Sequence, residues 1–293
     1  PPQGVIFHYV LNDPENSKVE LQIFDSKGNL IDTFETKQED KVSGQTENDD
    51  EEDQKPALTS SKGLNRFVWN MRYPGPAEKI DKTLEQKRYK ALGRGEMGER
   101  GGPTAMPGTY QAVLRIENTK QEHHFEILKD PRLETSEEDY QAQFDLWMNI
   151  RDQLSETNRL LNQLRRIRRE IHVILERPNL QMSKVPDELS SFKDNAEKVI
   201  QKLEVLENEL VQTKNETPSD RLRFPVMLRD RIEGLISVVA VAEAAPPQQA
   251  HEVFQHLKGL LAEKTSSMQQ LLSVDLITLK ELAQKANIQF FEE

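Results

Sequence analysis

The 293-residue chain has no cysteine, which excludes disulfides, thiolate metal sites and cysteine nucleophiles while leaving the compartment open. No apolar run approaches the roughly 18 residues that read as a membrane span, so membrane insertion is not expected. An excess of base is missing as well. The net charge is −11, with −5 over residues 1–130 and −6 over the remainder. Neither part carries the electrostatic footprint of a nucleic-acid binder, and no nucleic-acid partner is expected. No methionine or signal peptide stands ahead of Pro1, so a fragment or a processed product is expected. The length allows two domains with separate cores.

What is present divides by period. Residues 1–133 read as β. VIFHYVL (5–11) is a short apolar run, and VELQIF (19–24) alternates with Val19, Leu21 and Ile23 on one face. DSKGN (25–29) supplies turn chemistry into LIDTF (30–34), a hairpin signal. In GLNRFVWNMRYPGP (63–76), alternation puts Phe67, Trp69, Met71 and Tyr73 on one face and Arg66, Asn70 and Arg72 on the other, until Pro-Gly-Pro stops the run. PGTYQAVLRIEN (107–118) and HHFEILKD (123–130) complete about six strands with antiparallel spacing. They predict a small immunoglobulin- or fibronectin-III-like β-sandwich. Two long loops interrupt it: the acidic loop 38–57, with eight carboxylates, and the Gly/Lys-rich loop 77–104.

From residue 134 the apolar period becomes helical. Ser136 and Asp139 form an N-cap signal. Trp147, Ile150, Leu154, Leu161, Leu164, Ile167, Ile171 and Ile174 then recur at helical steps to about Arg177. A second helix carries Phe192, Ala196, Val199, Leu203, Leu206 and Leu210. A third carries Leu228, Ile232, Leu235, Val239 and Ala242. The fourth carries Leu257, Leu261, Met268, Leu272, Leu276, Leu279 and Ala283. Residues 134–293 therefore predict a long antiparallel four-helix bundle, with helices of about 35 residues and about 50 Å. The fold class expected is α+β in two domains, 1–133 and 134–293.

Candidate chemistry is scattered. His123 and His124 are adjacent on a strand and point to opposite faces, and His251 and His256 are off the i, i+4 spacing of a helical metal pair. His8 and His172 stand alone. Asp49, Asp50, Glu51, Glu52 and Asp53 are dense enough for weak calcium binding, yet they lack the glycine and alternating spacing of an EF-hand loop, and solvated linker is the plainer reading. LGRGEMGERGGP (92–103) matches no phosphate-binding motif. RRIRRE (165–170) is expected to fan its arginines over the flanks of the first helix, to meet acids of its neighbours. No Ser-His-Asp arrangement or nucleophile elbow is present, and no strand end shows an apolar pocket around a lone carboxylate. No catalytic, cofactor-binding or specific metal residue is therefore expected. Trp69, Tyr73 and Tyr110 are the residues that could serve as sugar-stacking platforms.

GLNRFVWNMRYPGP, together with PGTYQAVLRI, KDPRL, YQAQFDLWMNIRDQLSETN and RFPVMLRDRIEGLISVVAVAEAAPPQQAHEVFQHL, resembles the C-terminal region of secreted bacterial proteins built on sortilin-like or BNR-repeat β-propellers. These are commonly labelled glycosyl hydrolases. The resemblance covers most of the chain; the strand motifs alone are also similar to a wider class of immunoglobulin-like end domains. It implies an extracellular, periplasmic or cell-surface setting and a propeller upstream in the same polypeptide, where any glycosidase chemistry would sit. No S-x-D-x-G-x-x-W box occurs here. The segment 77–104 departs from the shorter, apolar, tryptophan-containing stretch of that family, which puts a docking role for it in doubt.

The expectation is thus a non-catalytic accessory region that docks on its propeller and engages another protein through the helices. A carbohydrate-binding module and a hydrolase in its own right are the alternatives.

Overall fold

The computed structural model of the chain describes residues 4–12, 18–36, 56–84, 101–117, 119–180, 186–215, 220 and 222–289. The architecture is α+β. Six antiparallel strands form two sheets, and four helices follow among the described residues, the last interrupted by a π-helical turn. Two compact units result. One comprises residues 1–75, 98–148 and 242–245; the other comprises 76–97, 149–241 and 246–293.

In the first unit, β1 (Val5–Leu11) pairs with β4 (Gly63–Trp69) as a two-stranded ribbon. The second sheet has the order β3-β2-β5-β6, built from β2 (Val19–Phe24), β3 (Leu30–Glu35), β5 (Gly108–Ile116) and β6 (Thr119–Ile127). Alternation sets the faces. Val19, Leu21 and Ile23 of β2 are buried, as are Phe67 and Trp69 of β4 and Tyr110 and Ala112 of β5. The β2–β3 hairpin closes as its sequence expects. Asp25 Oδ1 accepts the N–H groups of Lys27 and Asn29, and Gly28 supplies the positive φ of +80°.

The aromatic strand ends sooner than its alternation implies. β4 stops at Trp69, and Met71 takes φ +58°, which breaks the pleat before the Pro-Gly-Pro stop. Met71 and Tyr73 still pack against the core, so the aromatic face survives the break. Arg72 donates to Gly102 O and lays its guanidinium over the Trp147 ring.

α1 (Glu137–Leu175) begins where Ser136 and Asp139 cap each other, Ser136 Oγ accepting the Asp139 N–H and Asp139 Oδ2 the Ser136 N–H. At 39 residues it is about 58 Å long. Its first turns belong to the first unit. There Phe144 packs edge-on to Tyr73, and Tyr140 OH donates to Glu243 Oε2 at 2.8 Å. The division between compact units thus falls at residues 148/149 within α1, not at the 133/134 boundary expected from the change of period.

In the second unit, α2 (Asp187–Leu210) and α3 (Leu228–Val239) have 24 and 12 residues, well short of the expected length. Pro186 precedes α2, and Pro246 and Pro247 follow α3 in a stretch that cannot extend it. α4 (Gln248–Gln270) continues through a π segment, Leu271–Leu276, into α5 (Ile277–Lys285). Here the expected seam is corrected. Leu271 is buried instead of Leu272, and the next buried position is Leu279. That eight-residue step is one longer than two helical turns allow, and the wider π turn absorbs the extra residue.

Candidate functional site

The second unit places its convergent polar chemistry on one stripe of α1. Ser155, Asn158 and Asn162 are spaced three and four apart, so their side chains share a face. They are 6%, 0% and 3% exposed. Against them lies the segment 76–81, which bends at Ala77 and Glu78 and leads into a 3-10 turn, Lys82–Leu84. Ser155 Oγ accepts the Glu78 N–H at 2.9 Å, and Asn162 Oδ1 accepts the Asp81 N–H at 2.9 Å. Asn158 Nδ2 donates to Glu78 O at 2.9 Å, and Asn162 Nδ2 to Lys79 O at 2.7 Å and Glu78 Oε1 at 2.9 Å. Four of these five bonds meet main-chain groups, two N–H donors and two C=O acceptors. The stripe thus grips a bent stretch of backbone, with one further contact to an acidic side chain.

A second layer fixes the orientation of the amide. Buried Arg229 of α3 donates from Nε to Asn158 Oδ1 at 2.9 Å. Only the Nδ2 end of Asn158 can then face the segment. Arg229 in turn donates to Glu233 Oε2 at 3.1 Å. At the far end of the segment, the Thr83 hydroxyl donates to Asp81, and Arg166 and Arg169 of α1 set positive charge around it. Together they hold the Asp81 carboxyl below its ordinary range. A segment carrying two carboxylates therefore lies on a stripe of buried hydroxyl and amide side chains.

The remaining arginines of RRIRRE depart from their expected place. Arg165 and Arg168 are buried, not splayed over the flanks. Arg165 Nε reaches Glu207 Oε1 at 2.7 Å, and Arg168 reaches the other oxygen of the same carboxylate. A separate groove of about 430 Å³ lies between α2 and the π segment, lined by Lys198, Val199, Lys202, Val205, Asp275 and Thr278. Lys202 Nζ and Asp275 Oδ1 meet there at 2.7 Å, so its strongest charges serve each other.

The platform residues are placed differently from what sugar stacking requires. Trp69 and Tyr110 are 1% and 5% exposed and touch each other and Phe125; their faces are covered by the core. Tyr73 is half-buried against Phe144, and burial pushes its hydroxyl pKa up. Asp49, Asp50, Glu51, Glu52 and Asp53 lie outside the described residues, as does most of the Gly/Lys-rich loop. Among the described residues, no group of three or more His, Asp or Glu side chains is placed to hold a metal ion, and no helix is long and apolar enough to cross a membrane.

Periodicity overlooked Ser155, Asn158 and Asn162 because they occupy the gaps of the apolar rhythm. The available signal was the seven-residue step from Leu154 to Leu161, which passes over Thr157 and Asn158, both fully buried. No protein-family profile, curated protein or solved structure matches this chain.

Proposed function

We propose that the chain is a non-catalytic accessory and interaction region: an immunoglobulin-like β-sandwich followed by an antiparallel four-helix bundle, in a secreted protein of the sortilin-like or BNR β-propeller kind. It docks on the propeller of its own polypeptide, and its helices engage a further protein. The motif resemblance motivates the context. The observation that carries the docking role is the outer face of the β1–β4 ribbon. Ile6 pairs with Val68 and Val10 with Leu64 across it, on either side of the exposed His8–Arg66 pair. Ile6, Val10 and Leu64 are 39%, 61% and 71% exposed. Cross-strand apolar pairs left in water on a two-stranded ribbon are the composition of a face that meets another surface.

The test is hydrogen exchange on the whole polypeptide and on this chain alone. The β1 and β4 amides are expected to be better protected in the whole polypeptide, and Val10→Asp with Leu64→Lys should remove the difference. Equal exchange in both contexts would refute docking through this face. Turnover of aryl glycosides by this chain, abolished by a single carboxylate substitution, would refute the non-catalytic reading.

A further inference from the structure

The stripe on α1 has the features of a site for peptide backbone, and the chain's own segment fills it. We propose that Ser155, Asn158 and Asn162, with Arg166 and Arg169 beyond them, form a binding site for a bent protein segment that carries carboxylates in a Glu-x-x-Asp pattern. Residues 76–84 occupy it in cis as an exchangeable strap. This proposal is independent of where the chain docks.

Three observations carry it. The receiving side chains are buried and preset, since Arg229 directs the Asn158 amide toward the Glu78 carbonyl and Asn162 presents its acceptor and its donor to the same segment. Most of what they read is backbone, which any peptide able to take the same bend offers. The strap buries little in return: Pro76 is covered, but Ala77 and Lys79 are exposed and Glu78, Ile80 and Asp81 are only partly covered. It is therefore held chiefly by hydrogen bonds, whose net contribution is modest because water competes for the same groups. Apolar burial, the term that makes a packed element hard to displace, is small here.

Charge selects the occupant. Asn162 Nδ2 donates to the Glu78 carboxylate, and Arg166 and Arg169 bear on Asp81 one helical turn further on. In 76–84, PAEKIDKTL, these two acids are three residues apart. A competing segment needs to take the same bend, with carboxylates at the same separation and no proline at either position, where an N–H must donate.

The cis strap lowers the apparent affinity for a partner by the fraction of time it is seated. A fluorescein-labelled PAEKIDKTL peptide is titrated into the full chain and into a released variant, Glu78→Pro with Asp81→Pro, which removes both strap donors. The released variant should bind about 10-fold or more tightly than the parent. In that background Asn162→Ala should lower the affinity about 10-fold, and the charge-reversed peptide PAKKIKKTL should not bind. Failure of the labelled peptide to bind better to a released variant that keeps its helical circular dichroism would overturn the proposal. Binding that is indifferent to Asn162→Ala would overturn it too. Hydrogen exchange on the unaltered chain is an independent check. The Glu78 and Asp81 amides should exchange by local opening, at least about 100-fold faster than the α1 amides near Leu161; exchange only together with those amides would mean that the strap does not leave. A concentration-dependent dimer that disappears in the released variant would replace the partner with a second copy of this chain.

Discussion

Arg165 Nε lies 2.7 Å from Glu207 Oε1, with both side chains 5% exposed, and Arg168 holds the second oxygen of that carboxylate. One acid thus serves two bases inside the second unit and ties α1 to α2. Glu207→Gln would strip the carboxylate charge from two buried guanidinium groups, and the expected loss is about 3–5 kcal/mol of unfolding free energy. Replacing all three residues together with Met, Leu and Met should be neutral or stabilising by about 1–4 kcal/mol, because the charges no longer have to be desolvated. Urea unfolding followed by circular dichroism at 222 nm measures both. A single variant as stable as the parent would mean that the pair is hydrated.

Trp69 and Trp147 are both buried but differ at the indole nitrogen. Trp69 Nε1 donates to Arg72 O at 3.2 Å, whereas Trp147 Nε1 is buried with no hydrogen-bond partner among the described residues. Trp69→Phe leaves a carbonyl short of its donor, while Trp147→Phe removes an unsatisfied N–H. The first should therefore cost about 1–2 kcal/mol more than the second. Comparing their urea midpoints tests this, and equal losses would contradict it. The same burial predicts that the emission of Trp69 in a Trp147→Phe background is blue-shifted, poorly quenched by iodide and indifferent to polysaccharides.

Much of the fold was legible because apolar burial repeats along a strand or a helix. Val19, Leu21 and Ile23 announce β2 by period two, and Phe192 to Leu210 announce α2 by alternating steps of four and three. The end of β4 was not legible, since Met71 enters positive φ without a glycine to mark it. The π segment was hidden because Leu271 and Leu272 are adjacent and either continues a helical rhythm. Of the candidate site, only the arginines were visible, and two of the four turn inward to Glu207. Asn158 and Asn162 look like solvent residues until their partners are known. Those partners are main-chain groups of 78–81, 80 to 83 positions away, and a backbone donor leaves no trace in sequence.

Tyr140 OH donates to the Glu243 carboxylate at 2.8 Å. Burial first, and then Glu243, push the phenol up to about 12 from its ordinary 10.0. The folded-state value lies above the unfolded one, so the contribution of the neutral phenol is complete below about pH 10. It fades as pH climbs through about 12. Tyr140→Phe is expected to lower stability by about 1 kcal/mol at pH 7 and to flatten the alkaline decline relative to the parent. Unfolding midpoints between pH 8 and 12, with tyrosinate absorbance at 295 nm, read both effects. Parallel pH profiles for the two proteins would rule the linkage out.

The π segment makes a sharper demand on the sequence. Met268, Leu271, Leu279 and Ala283 are the buried positions in and around it, separated by steps of three, eight and four. Deleting exposed Ser273 shortens the middle step to seven, the spacing that an α-helix nearly keeps on one face. α4 and α5 should then run as one α-helix, with the buried seam against α2 retained and stability changed by less than about 1 kcal/mol. Deleting Gln269, an exposed residue of the preceding α-helical turn, shortens a step that already fits and rotates Met268 and everything before it off the seam. That variant should lose about 2–4 kcal/mol, as expected for large apolar groups withdrawn from a core. Thermal unfolding of the two deletion variants beside the parent decides the matter. If both deletions are equally destabilising, the π turn is not the element that absorbs the extra residue.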